Sequence, residues 1–220
     1  MKSLFCILTL SAIGIAAVHA QQESRQPFFG VEAAMEITIP DESHGIYQAA
    51  SGFKAGGFYN MPLKNSNFFF EPGVQTFYNT LGLNNIIPDN GTDGMYSGSV
   101  RNFGIRIPLY LGYSFDLPGR LNLSVATGPQ LNINLMTRRY LDPNFVAPAP
   151  PAVNLFSDGK GWKRVEALWG LKLKLTFAEC YSVGIDGGVG ISPLASYGNR
   201  DNKIKIRRAS VAISLGYNFR

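Results

Sequence analysis

Ala209-Ser210-Val211-Ala212-Ile213-Ser214-Leu215-Gly216-Tyr217-Asn218-Phe219 is the stretch whose reading decides the fold. Side chains on a strand alternate between its two faces. Ala209, Val211, Ile213, Leu215, Tyr217 and Phe219 therefore form one apolar face, and Ser210, Ala212, Ser214, Gly216 and Asn218 a small, polar one. A soluble sheet would turn the apolar face inward, whereas a membrane barrel turns it to lipid and lines its lumen with the polar face. The aromatic ending, Tyr217 and Phe219 just before Arg220, points to the closing strand of an outer-membrane barrel. These two aromatics are the expected assembly signal.

Working back from that strand, seven more segments alternate in the same way. They run about Phe28–Ile39, Ser51–Met61, Phe68–Tyr78, Val100–Phe115, Leu121–Leu135, Arg164–Phe177 and Tyr181–Leu194. Each is long enough to cross a bilayer at barrel tilt. Short turns near residues 64, 118 and 179 alternate with longer connections near 44, 89, 150 and 200. That asymmetry is the pattern of periplasmic turns and external loops. Strand ends at the short-turn side carry Phe28, Phe29, Tyr59, Phe68, Tyr113, Phe115, Phe177, Tyr181, Tyr217 and Phe219, an interfacial girdle that only the fifth strand lacks. Pro72, Pro108, Pro129 and Pro193 fall inside the segments, where bulges or strand ends are expected.

The N-terminus reads as an export signal over residues 1–20, with Lys2, the apolar run Leu4–Ala17 and a Val18-His19-Ala20 cleavage site. A mature barrel domain would then span 21–220. Cys6 leaves with the signal, so Cys180 stands alone and is expected in a turn, with no intramolecular disulfide. Without Lys2 the 20 basic residues become 19 against 15 acidic ones, about +4. The basic clusters Arg138-Arg139 and Lys203–Arg208 lack interleaved stacking aromatics, and no nucleic-acid partner is expected.

Three pieces of the chain resemble the PorT-like outer-membrane β-barrel family, the outer membrane protein β-barrel domain. They are Gly56-Gly57-Phe58-Tyr59-Asn60-Met61-Pro62-Leu63 followed by Phe68-Phe69-Phe70-Glu71-Pro72-Gly73-Val74; Ile105-Arg106-Ile107-Pro108-Leu109-Tyr110-Leu111-Gly112-Tyr113; and Leu215-Gly216-Tyr217-Asn218-Phe219. The resemblance covers nearly all of the mature chain and implies tolerance of Pro72 and Pro108. It implies a fold; it assigns no functional residue.

Strand parity sends Glu32, Glu36, Glu71, Glu166 and Asp186 into the lumen with Lys54, Arg106, Lys172 and Lys174. An eight-strand interior has room only for side chains, so these charges are expected to pair as a structural plug rather than line a proton or ion path. Asp41, Ser43 and His44 sit too close on one loop to satisfy hydrolytic-triad geometry, so no catalytic residue is expected. One histidine and one distant cysteine predict no metal site, and no cofactor is implied. Gly184–Gly190 lacks phosphate-loop spacing and reads as a bending strand, and Asn90-Gly91-Thr92 reads as a turn rather than a glycosylation site. Loops 79–98 and 137–163 carry Tyr140, Phe145, Phe156 and Trp162, apolar residues suited to a protein or surface partner.

The expected molecule is all-β: an eight-stranded antiparallel transmembrane up-and-down β-barrel, left in the bacterial outer membrane after signal cleavage. A structural or surface-interaction role follows, with outer-membrane lipid and the barrel-assembly machinery as partners and a monomeric state. Two alternatives remain open at this point: a lipid-modifying barrel enzyme, and a soluble secreted barrel holding a small apolar ligand.

Overall fold

A computed structural model describes residues 26–41, 47–64, 66–86, 96–142, 151–157, 161–197 and 204–219. Eight long strands, β1 (Phe28–Asp41), β2 (Ala50–Pro62), β3 (Phe68–Ile86), β4 (Tyr96–Leu117), β5 (Leu121–Leu141), β6 (Val165–Phe177), β7 (Tyr181–Gly190) and β8 (Ile204–Phe219), pair antiparallel in chain order. The β1–β8 ladder, from Phe29↔Phe219 to Asp41↔Arg207, closes the ring. Following one row of facing residues from Phe219 through Phe29, Tyr59, Pro72, Leu109, Pro129, Trp169 and Val189, with the register carried across the two gaps at Pro72 and Pro129, returns to β8 ten residues earlier, at Ala209. A stagger of that size on eight strands corresponds to a strand tilt of about 40°.

The outer face is apolar and the inner face polar, as the alternation requires. Met35 is 75 % and Leu215 66 % exposed on the outside, whereas Glu36 and Glu166 are almost fully buried inside. The soluble-barrel alternative needs the Phe and Leu faces inside, and it falls on this observation. At the short-turn end the girdle forms as expected, with edge-on or stacked pairs linking Phe68 to Tyr113, Tyr113 to Phe115, Phe177 to Tyr181, and Tyr181 through Tyr217 to Phe219. Cys180 lies in the three-residue turn between β6 and β7, where Ala178 and Glu179 both adopt positive φ, 47° and 64°.

Several boundaries need correction. The expected loop 79–98 is strand over 79–86 and 96–98, and the expected loop 137–163 begins as strand, since β3 reaches Ile86, β4 starts at Tyr96 and β5 runs to Leu141. The cause is a change of solvent. Above the lipid band water lies outside, so the pattern inverts: Leu81, Leu83, Val100, Leu141 and Ile206 turn inward, and the alternation learned from the membrane segment no longer finds them. β8 likewise begins at Ile204 rather than Ala209, and β7 ends at Gly190 rather than near Leu194.

The prolines do not produce bulges. Each of Pro72, Pro108 and Pro129 falls in a two-residue gap of one ladder (β2–β3, β3–β4 and β4–β5 respectively) with the register unchanged on either side. Pro193 lies past the end of β7. The bulges fall elsewhere: on β5 at Leu135, because Phe103 faces Met136 while Gly104 faces Asn134, and between β3 and β4 near Leu83–Ile86. The Leu135 bulge flips the parity of β5, so that Thr137 and Leu141 point inward.

Short strands complete the long-loop end: Tyr47–Gln48 on β3, Val153–Asn154 on β5 and Ala195–Tyr197 on β8. With Trp162, which bridges to Ala195, they fold over the barrel mouth and enclose a core of Leu81, Leu83, Val100, Leu155, Leu194 and Ile206. Phe156 and Tyr47 pack against this cap. Of the residues expected as contacts, Trp162 is buried in this cap, Phe156 is half-buried against it, and Tyr140 lies beneath the Arg101 guanidinium. The segment 1–20, Ser43, His44, the Asn90-Gly91-Thr92 turn and Phe145 lie outside the described residues.

Candidate functional site

All nine lumen charges assigned by parity are buried in the barrel, and they meet in three tiers. The lowest joins four residues from β1, β3 and β6. Lys172 Nζ donates to Glu32 Oε2 at 2.6 Å and Glu71 Oε1 at 2.9 Å, and Lys174 Nζ donates to Glu71 Oε2 at 2.8 Å. Gln75 and Asn60 donate to the same two carboxylates, at 2.5 Å to Glu32 Oε1 and 3.1 Å to Glu71 Oε2. In the middle tier Lys54 of β2 pairs with Asp186 of β7, and Arg106 of β4 donates to Glu36 of β1 at 3.0 Å.

The upper tier contains a residue that parity reasoning left out. Arg208, counted in the sequence only as the end of the basic run Lys203–Arg208, belongs to β8 and points inward, where its fork meets Glu166 through Nε–Oε1 at 3.0 Å and Nη2–Oε2 at 2.6 Å. Extending the inward series Ser214, Ala212, Ser210 by one more step would have found it. With Arg208 the buried charges among the described residues are five acids and five bases. Asn132 ties the tiers together, accepting from Arg106 Nε at 2.9 Å and donating to Glu166 Oε2 at 3.4 Å.

Aromatic rings fill the space between the charges. Phe77 lies between Arg106 and Arg208, 5.3 and 5.5 Å from ring centre to guanidinium carbon. Phe58 serves Lys172 and Lys174 in the same way, at 4.8 and 4.2 Å. Such rings shield a buried cation on the side no carboxylate covers. They fit because the facing positions are glycines. A Cβ on Gly30 would fall 2.2 Å from Phe58 Cζ, and one on Gly112 2.3 Å from Phe69 Cζ. Phe58, Phe69 and Phe77 went unassigned in the sequence because an apolar residue facing the lumen breaks the simple rule.

This arrangement holds strands in register. Slipping any strand by one residue would move its charges onto the lipid face. Above the top tier, Asn102 donates to Asn134 at 2.8 Å and Thr137 to Asn102 at 2.9 Å, and the apolar cap follows directly. Gly184–Gly190 is regular strand of β7, bearing Asp186. Asp41, the described member of the considered triad, ends β1 on the outside, opposite Arg207. Among the described residues, no three His, Cys, Asp or Glu side chains converge as a metal-ligand set.

A family model described as outer membrane protein beta-barrel domain matches residues 19–220. The chain belongs to that family. The family and the ring of lipid-facing strands agree on a bacterial outer-membrane barrel. No curated protein matches the chain. Solved structures similar to it include OprG of Pseudomonas aeruginosa, 13 % identical with a TM-score of 0.46 over 87 % of this chain and 95 % of that one. Neisserial surface protein A is 11 % identical, with a TM-score of 0.43 over 89 % of this chain and all of that one. Ail, the attachment invasion locus protein of Yersinia pestis, is 10 % identical, with a TM-score of 0.40 over 89 % of this chain and 100 % of that one.

Proposed function

We propose that this barrel is a closed, non-enzymatic outer-membrane protein of the PorT-like type, with a structural or surface-interaction role and no conduction through its lumen. The observation that carries the reading is the continuity of the filling. Ion pairs and rings occupy the lumen from Glu71 to Glu166, and the apolar cap around Trp162 and Leu194 lies directly above. An ion entering from outside would first have to cross that dry core and then separate buried pairs. In this reading segments 79–98 and 137–163 supply the contact surface, and Tyr217 and Phe219 are the signal read by the barrel-assembly machinery after the export segment has been removed. The protein acts as a monomer.

Conductance in planar bilayers tests the closed lumen. The refolded protein should give no discrete channel steps at 1 M salt on the order of 100 mV, because the ~2.3 kcal/mol per elementary charge that such a potential supplies is less than the about 3–5 kcal/mol that breaking one buried pair costs. Replacing Glu166 and Arg208 together should leave the bilayer silent, because the lower tiers and the cap remain. Reproducible steps from the unaltered protein would end the closed-lumen reading.

A further inference from the structure

On four strands the outward apolar series ends at the long-loop side and is followed by basic residues. On β4, Phe103 is followed by Arg101; on β5, Leu135 and Met136 by Arg138; at the start of β6, Val165 is preceded by Lys163 and Arg164; and on β8, Val211 and Ala209 give way to Arg207 and Lys205. All six cations are exposed. The tilt of the strands brings them to one level just above the lipid band, in an arc from β4 to β8. The same level on β1 and β3 carries Asp41 and Thr80 instead.

The arc contains an unfavourable arrangement. Arg101 and Arg138 are direct cross-strand partners on the outer face. Like charges placed so repel. Among the described residues, no carboxylate pairs with Arg101, Arg138, Lys163 or Arg164. Two of the guanidiniums are nevertheless held in place, Arg101 over the Tyr140 ring at 4.4 Å and Arg164 over Phe156 at 4.5 Å. Fixed, unpaired guanidiniums present planar forks that match a phosphate.

We propose that Arg101, Arg138 and Arg164 form a binding site for the phosphorylated headgroup of an outer-leaflet lipid. Continuity with the apolar band decides the occupant. Acyl chains lie along Phe103, Met136 and Val165, exposed by 37 %, 38 % and 52 %, while the phosphate reaches Arg101 and Arg138 above them, with Arg164 closing the site from the cap side. A soluble polyanion would have no use for the apolar half. The site is independent of the lumen and of whether the barrel conducts.

The test measures affinity for diphosphorylated lipid A and for its dephosphorylated form, by native mass spectrometry of the full-length mature protein in neutral detergent. Basic residues at an anionic membrane surface each contribute about fivefold in affinity, so the triple variant R101Q/R138Q/R164Q should bind the phosphorylated form roughly a hundredfold more weakly. A control, K64Q/R120Q at the short turns, should bind as the parent does. Unchanged heat-modifiability shows that the triple variant is folded; if it is not, R138Q alone, which removes no described side-chain interaction, should lose about fivefold. Equal parental affinity for both lipids, retention of parental binding by the triple variant or by R138Q, or equally tight binding of inositol hexakisphosphate would each overturn the proposal.

Discussion

Replacing Glu71 with Gln tests whether the lumen charges hold the barrel together. Glu71 is 2 % exposed and accepts from Lys172, Lys174 and Asn60. The substitution keeps the shape, removes the charge and turns one oxygen into an NH2 facing Lys174 or Lys172. Lys172 retains Glu32, whereas Lys174, 5 % exposed, loses its only direct carboxylate partner among the described residues. Removing one partner of a buried pair costs about 3–5 kcal/mol, mainly from the charge left behind. The ring of Phe58 offsets only ~1 kcal/mol of this. We expect a loss of about 3 kcal/mol, a factor on the order of a hundred in the folding equilibrium. Urea unfolding in lipid vesicles, followed by the fluorescence of Trp162 and Trp169, measures it. Adding Lys174→Met, which removes the stranded charge, should recover at least half of the loss. A Glu71→Gln barrel within about 0.5 kcal/mol of the parent, or a double variant worse than the single, would refute the reasoning.

Depth on the outer face gives a second prediction. Ile213, near mid-band on β8 and 64 % exposed, should cost about 2–4 kcal/mol when changed to Arg, whereas Ile39→Arg near the interface should cost under about 1 kcal/mol in the same assay. The β6–β7 turn gives a third. Ala178 holds a φ of 47°, a left-handed conformation that disfavours a Cβ, so Ala178→Gly should stabilise the barrel by roughly 0.5–1 kcal/mol, seen as a higher urea midpoint.

The sequence revealed the barrel where lipid and lumen impose opposite demands on alternate residues. Val125 and Leu131 against Ser124 and Asn132 could be assigned by parity alone, and so could every charge from Glu32 to Asp186. Legibility failed where those demands changed. Above the band Leu81 and Ile206 face inward with water outside, so strand looked like loop, and Arg208 was lost with it. The Leu135 bulge reversed parity without any glycine or proline to mark it. The prolines were conspicuous and less disruptive than expected, because each interrupts one ladder and leaves the neighbouring pairs in step. Phe58 and Phe77 could be understood only once the cations they cover were in place.

The lumen pairs join distant parts of the chain, Lys54 and Asp186 standing 132 positions apart and Glu32 and Lys172 140. A partly inserted sheet holding β1 to β5 would carry acids and bases whose partners had not yet arrived, and those charges would have to stay hydrated. Dehydration of the interior is therefore a late event, coupled to the meeting of β1 with β8. The same arithmetic restricts how such a protein can change over time. Every direct charge pair joins two different hairpins, so duplicating or deleting one hairpin would leave buried charges without partners, and substitution of single residues is open to this barrel in a way that exchange of whole hairpins is not.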